Sequence, residues 1–255
     1  MPDLNQLLIF FLVFLRAAAF LISGPLLAVK GIPVQVKVAL AFILSLLVFP
    51  GLHAQGVSLP GSSILYILQA VGEVAVGIGL GFTASLILIL FRMAGHLIDL
   101  QIGFGMSGLF DPSTATQNTV IAYFMYFFSL VIFMTMDGHH SLILALAKSY
   151  QLVPLNTASF SGTAADFLIR AFAGTFALSV QVAVPILAVL VITDIALGII
   201  ARTAPQMNIF MLGLPFKVLF GLLVLSITIP VMTGAFGSLI RLMENNLLLL
   251  MKDLS

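Results

Sequence analysis

Apolar residues gather along this chain in long blocks separated by short polar or glycine-proline clusters. The strands of a membrane barrel would instead alternate over segments of about 10 residues. The blocks predict six spans. The first covers Leu4 to Val29 and kinks at Gly24-Pro25, and the second runs from Val38 to Phe49 with its approach and ends at Pro50-Gly51. The third covers Ile64 to Phe91, and the fourth runs from Thr119 to Met136 and stops at Asp137-Gly138-His139-His140. The fifth covers Phe167 to Ala201, bent at Pro185, and the sixth Ile209 to Met232. Ser141 to Val153 is apolar but carries Lys148 and ends at Pro154, so it is too short to span and is expected to pack beside the others. From Ser238 onward, Arg241, Glu244, Asn245 and Lys252 sit among leucines, the pattern of an amphipathic helix on an interface or a partner. The fold class is therefore an all-α integral membrane protein, with about six long hydrophobic helices plus short amphipathic or re-entrant segments.

One stretch does not fit this row of spans. Between Arg92 and Asn118, Gly95, Gly103, Gly105 and Gly108 interleave with Phe104, Met106, Leu109 and Phe110 before an Asp111-Pro112 turn. Glycine frees the backbone from helical geometry, and proline steers the residue before it away from the helical region. An irregular, apolar loop is expected there. Such backbone at membrane depth persists only where protein buries it or where it lines a water-filled cavity. Two readings follow: a connector between spans, or a re-entrant loop that plugs a conduit. Gly103, Gly105 and Gly108 also spell GxGxxG, but the strand, helix and distant acid of a dinucleotide site are missing around them.

Composition fixes the compartment. Of 255 residues 61% are hydrophobic and 7% charged, and the mean hydropathy is +1.23, whereas about a quarter of a soluble domain is charged. The formal net charge of +1 carries no message about nucleic acid, and without cysteine there is no disulfide, thiol nucleophile or thiolate metal site. Leu7 to Leu15 resembles the apolar core of a secretory signal, with an A-x-A-like site at Ala17 to Ala19. Only Asp3 precedes it, however, and hydrophobicity resumes through Ala28, so an uncleaved first span is expected. Lys30 and Lys37, then Arg92, then Arg202 and Lys217 fall on one side, the cytoplasmic one, if the N-terminus is outside. Lys148, Arg170, Arg241 and Lys252 fall on the other and dilute the bias.

The polar residues inside the spans are few. Glu73 lies in the third span near Gly77 and Gly81, a GxxxG spacing that admits another helix closely. A lone intramembrane carboxylate is a candidate for function, but pairing with Arg16 of the first span is the favoured reading over a proton relay. Asp194 raises the same question, with Arg202 as its expected partner. Adjacent His139 and His140 beside Asp137 are expected to point apart on a regular element, which favours a turn over a metal site. Arg92, His96 and Asp99 share one helical face, read as a solvated or inter-subunit polar strip leading into the loop. No serine, histidine and acid grouping and no P-loop can be placed, so no catalytic residue, cofactor or metal is assigned.

Several stretches taken together carry a likeness. They are the Gly103 to Gly108 loop with Phe110-Asp111-Pro112 and Gln117, then Asp137-Gly138-His139-His140, then Pro205-Gln206-Met207-Asn208-Ile209-Phe210 and Gly213-Leu214-Pro215-Phe216-Lys217. In this order and among these spans, the sequence resembles the FliR/SpaR/EscT export-gate proteins of type III secretion, in their flagellar form, over nearly its whole length. The resemblance implies a non-catalytic subunit that assembles with several copies of FliP and FliQ. Together these form the gate through which unfolded flagellar proteins leave the cytoplasm, in the inner membrane at the flagellar basal body. It implies a FliP-like part over residues 1–160 and a FliQ-like hairpin with an amphipathic C-terminal helix over 161–255. The plug or gating loop falls on Gly103, Phe104, Gly105, Met106, Gly108, Phe110, Asp111 and Pro112. The cytoplasmic entrance loop, facing FlhB, falls on Pro205, Gln206, Asn208, Phe210, Pro215 and Lys217. Arg16, Glu73, Gly77, Gly81, Asp137 and His139 are left with structural, packing roles. Beyond these protein partners the chain is expected to meet membrane lipid and no nucleic acid.

A ring of Phe and Met on a Gly-hinged loop can pack shut and open by local motion, which suits a conduit for extended polypeptide. The alternative is a solute or ion transporter with a midplane site at Glu73, Asp194 and the broken segment at Gly103.

Overall fold

The computed structural model describes residues 4–25, 32–52, 62–104, 119–159, 162–204, 206 and 209–255. Among them every regular element is helical, because a lipid-exposed backbone can satisfy its N–H and C=O groups within a single helix. The helices are α1 (Leu4–Ser23), α2 (Val34–Leu52), α3 (Ser63–Ile102), α4 (Val120–Thr135), α5 (Gly138–Leu152), α6 (Gly162–Thr203) and α7 (Ile209–Leu254). Five are long and apolar enough to cross a membrane, or six if α4 and α5, bent by 74° at their junction, make one broken span.

Two boundaries differ from the sequence reading. Helix α3 does not stop near Phe91 but continues to Ile102, so the first part of the expected loop is helical. Gly95 is tolerated there because it is a close-contact site: a Cβ on it would lie 2.5 Å from Ala122 Cα. The sixth span and the C-terminal tail form one helix, α7, which passes through Pro215 and Pro230. Its end is held by packing, since Ile240, Met243, Leu247, Leu250, Met251 and Leu254 bury one face at helical spacing. The fourth span falls where expected, with Thr119 and Met136 as the caps of α4; at 16 residues, about 24 Å, that helix is short for a hydrocarbon core of about 30 Å.

The helices contribute to two compact units. One comprises Met1–Leu86, Asp137–Phe172 and Ile240–Ser255. Its core gathers Leu12, Val13, Leu80, Leu142, Tyr150 and Leu250. Here α3 lies against the backbone of α1 at the GxxxG face: a Cβ on Gly77 would come 2.5 Å from the Arg16 carbonyl oxygen, and one on Gly81 2.6 Å from that of Phe20. Phe10 packs edge-on against Phe42 and Phe49, tying α1 to α2. The other unit comprises Ile87–Met136 and Ala173–Leu239, with Phe91, Ile98, Met125, Phe133, Ile186 and Phe236 at its core.

Candidate functional site

The root of the glycine-rich segment lies in the second unit. Helix α3 ends as Gly103 adopts a φ of 101°, a left-handed conformation that lets its N–H close on the Asp99 carbonyl at 3.1 Å. Phe104 follows, while Gly105, Met106, Gly108, Phe110, Asp111 and Pro112 lie outside the described residues. Thr119 precedes α4 and gives that helix no side-chain cap.

The missing cap comes from another helix. Asp99 is not on a solvated strip but buried, and its two oxygens accept separately from the backbone N–H groups of Ile121 and Ala122, at 3.0 and 2.9 Å. The carboxylate thus satisfies two of the donors that any helix start leaves unpaired. Two turns earlier on α3, Arg92 stands over the Tyr123 ring at 5.8 Å. Sequence reasoning placed Arg92, His96 and Asp99 on one face but missed what the face meets. The available signal was an α4 start with no acid in its first turn.

The last turn of α3 is also joined to the α6 and α7 pair. Gln101 Nε2 donates to Asp194 Oδ2 at 3.0 Å, and Lys217 Nζ pairs with Asp194 Oδ1 at 2.5 Å. The partner of Asp194 is therefore Lys217 of α7 and not the expected Arg202, which is exposed at the end of α6. Ile102 packs against Gly221, where a Cβ would come within 2.8 Å of its Cδ1. Of the other residues assigned to the entrance, Gln206 is exposed, Pro215 lies inside α7 and Phe210 is in its first turn, while Pro205 and Asn208 lie outside the described residues.

In the first unit, Arg16 and Glu73 meet in a fully buried ion pair, Nε to Oε2 at 2.5 Å. Arg16 Nη1 donates further to the carbonyls of Ser149 and Val153, at 3.1 and 2.8 Å, and so caps the C-terminal end of α5. Its guanidinium stands 4.7 Å over the ring of Tyr150, whose hydroxyl donates to the Val13 carbonyl at 2.8 Å. Glu73 accepts a second bond from the Asn156 N–H at 3.1 Å. One charge pair thereby joins α1, α3 and the turn after α5.

Between α4 and α5, Asp137 takes a left-handed φ of 57°, and His140 Nδ1 lies 3.5 Å from its Oδ1. The two histidine rings, expected to diverge, have centroids 4.3 Å apart, and Asp137, His139 and His140 each place a donor atom within 4.8 Å of the others. Asp137 and His140 are exposed, so the geometry is that of a polar turn that makes the 74° bend.

These features define an integral membrane protein, helical throughout its described elements, in which the buried charges Arg16, Glu73 and Asp99 each bond to a neighbouring helix or turn. The sequence matches the family described as bacterial export proteins, family 1, over residues 7–243, and the chain belongs to that family. It is 32% identical to the flagellar biosynthetic protein FliR of Bacillus subtilis strain 168, an alignment covering 94% of this chain and 95% of that one. The FliR of Escherichia coli K12 is 30% identical over 89% of this chain and 86% of its own, and that of Pectobacterium carotovorum 31% over 87% and 84%.

Proposed function

We propose that this chain is a non-catalytic subunit of the flagellar type III export gate. In this reading it combines with multiple copies of FliP and FliQ into the conduit for unfolded flagellar proteins, in the bacterial inner membrane at the flagellar basal body. Family membership and the names of its relatives support the flagellar export role.

The observation that carries the hetero-oligomeric reading is the reach of exposed apolar surface. On α6 it extends from Ile169 to Ile199, and on α7 from Leu214 to Leu249. At 1.5 Å per residue these stretches measure about 45 and about 52 Å, against a hydrocarbon core of about 30 Å. The excess would face water unless other subunits cover it.

Within that assembly, residues 1–160 form the FliP-like part and 161–255 the FliQ-like hairpin, whose tip from Arg202 to Lys217 faces FlhB. The segment from Ile102 to Asp111 is the plug. A transporter reading draws no support from the carboxylates it would need, because Glu73 is committed to Arg16 and Asn156, and Asp194 to Lys217 and Gln101. Co-expression of the tagged chain with FliP and FliQ tests the proposal. A defined hetero-oligomer is expected, with an aggregation-prone product when the chain is expressed alone. A monodisperse monomer in detergent that binds a solute would overturn it.

A further inference from the structure

We infer that the start of α5 is a binding site for a divalent cation of the zinc class, held by Asp137, His139 and His140. The site stands whether or not the chain is a gate subunit, and all three residues belong to the first unit. Asp137 is the N-cap of α5, a position where aspartate ordinarily accepts from the N–H groups of the next turn, yet its carboxylate makes no such bond. At its left-handed φ of 57° it faces His140 instead, with Nδ1 of that ring 3.5 Å from Oδ1. Two ligands about 2.1 Å from a tetrahedral zinc ion lie about 3.4 Å apart, so this pair already has the spacing of two coordination positions. His139 brings a third donor atom within 4.8 Å of both, a gap that rotation about its side-chain torsions closes. Nδ1 of His139 is buried and meets no hydrogen-bond partner among the described residues. A polar nitrogen shut off from water in this way is costly, and coordination to a cation removes that cost. Two imidazoles and a carboxylate suit zinc and its neighbours, whereas calcium and magnesium take oxygen ligands. The positive end of the α5 dipole opposes a cation there. Two carboxylates offset it: Asp137 itself, and Glu244 of α7, whose Oε1 accepts from Ser141 Oγ at 2.5 Å in the same first turn. A simple ion pair of His140 with Asp137 is the competing account of their approach, and it gives His139 no part.

The experiment uses the full chain in its solubilised membrane complex, carrying a tag free of histidine and stripped of metal with a chelator. Zn²⁺ is titrated against a chromophoric chelator, and Co²⁺ is added separately because its visible d–d absorption reports the coordination number. The expected result is one Zn²⁺ per chain and the Co²⁺ spectrum of a four-coordinate nitrogen and oxygen site, with water or a donor from another subunit in the fourth position. His139→Ala and His140→Ala should each weaken Zn²⁺ binding by more than about 100-fold, since loss even of the groups that only orient metal ligands costs about 10–100-fold. Replacing His53 and His96, the other two histidines of the chain, should leave the affinity unchanged. Hydrogen exchange gives a second readout: the amides of His140 and Ser141, which bond to the Asp137 carbonyl at 2.9 and 3.4 Å, should exchange more slowly with Zn²⁺ bound. The His140 side chain is 67% exposed, so His140→Ala carries the test if His139→Ala does not fold. No Zn²⁺ bound at millimolar concentration would overturn the site. So would binding undiminished in His140→Ala, which is an adventitious ion only, and binding that needs Asp137 and His140 but is untouched by His139→Ala.

Discussion

Replacing Glu73 by Gln removes one charge from a pair that has no access to water. Arg16 is 0% exposed and Glu73 1%. Gln keeps one acceptor oxygen, enough for either the Arg16 Nε–H or the Asn156 N–H but not both in their present geometry. The guanidinium is then left buried without a counter-charge, which costs about 3–5 kcal/mol. Removing both charges together, as in Arg16→Met with Glu73→Leu, avoids that penalty but strands the Ser149 and Val153 carbonyls, at about 1–3 kcal/mol each. The double variant should therefore fall short of the sum of the single ones by several kcal/mol, a coupling that a double-mutant cycle reads directly. The assay is thermal unfolding of the purified complex, together with flagellar protein export per assembled complex. Glu73→Gln should lower both stability and yield while the surviving complexes export normally. Parental stability with export abolished would refute the structural account and revive a proton-coupled role for Glu73.

Gly77→Ala sets a methyl group 2.5 Å from the Arg16 carbonyl oxygen, so α1 and α3 must separate, and a loss of about 1–3 kcal/mol is expected in the same unfolding assay. Lys217→Ala leaves Asp194 with Gln101 alone, and because the Asp194 side chain is 39% exposed the cost is held to about 1 kcal/mol or less. The exchanged pair Asp194→Lys with Lys217→Asp should recover part of that loss, and chemical denaturation of the complex checks it. Phe110→Ala should leave assembly intact and raise ion and small-molecule leakage across the membrane, whereas a mere connector would give no effect or loss of the whole complex.

The apolar blocks were enough to place the helices, because backbone satisfaction in lipid leaves few alternatives. Helix ends were less legible, since they depend on contacts distant in sequence. Gly95 reads as a helix breaker until Ala122 is seen against it, and the sixth span and the C-terminal amphipathic segment read as separate until the buried face of the C-terminal turns is seen. The Arg16 and Glu73 pair could be anticipated because each is the nearest opposite charge on neighbouring apolar helices. The partner of Asp194 could not, because proximity along the chain favoured Arg202 while the α6 and α7 pairing brings Lys217. Asp99 escaped for a related reason: helical periodicity gives the face a residue occupies but not whether water or another helix start lies opposite it.

The claim that this chain lines the export path is tested most directly from position 104. A photo-crosslinking residue is placed at Phe104, the last described residue before the segment proposed as the plug, in cells exporting a flagellar substrate fused to a tightly folded domain that stalls in transit. The account predicts crosslinks from position 104 to the stalled substrate, in complexes that also contain FliP and FliQ, and none from Ile227 on the exposed face of α7. Stalled, assembled complexes with no crosslink at position 104, or with equal crosslinking at Ile227, would contradict it.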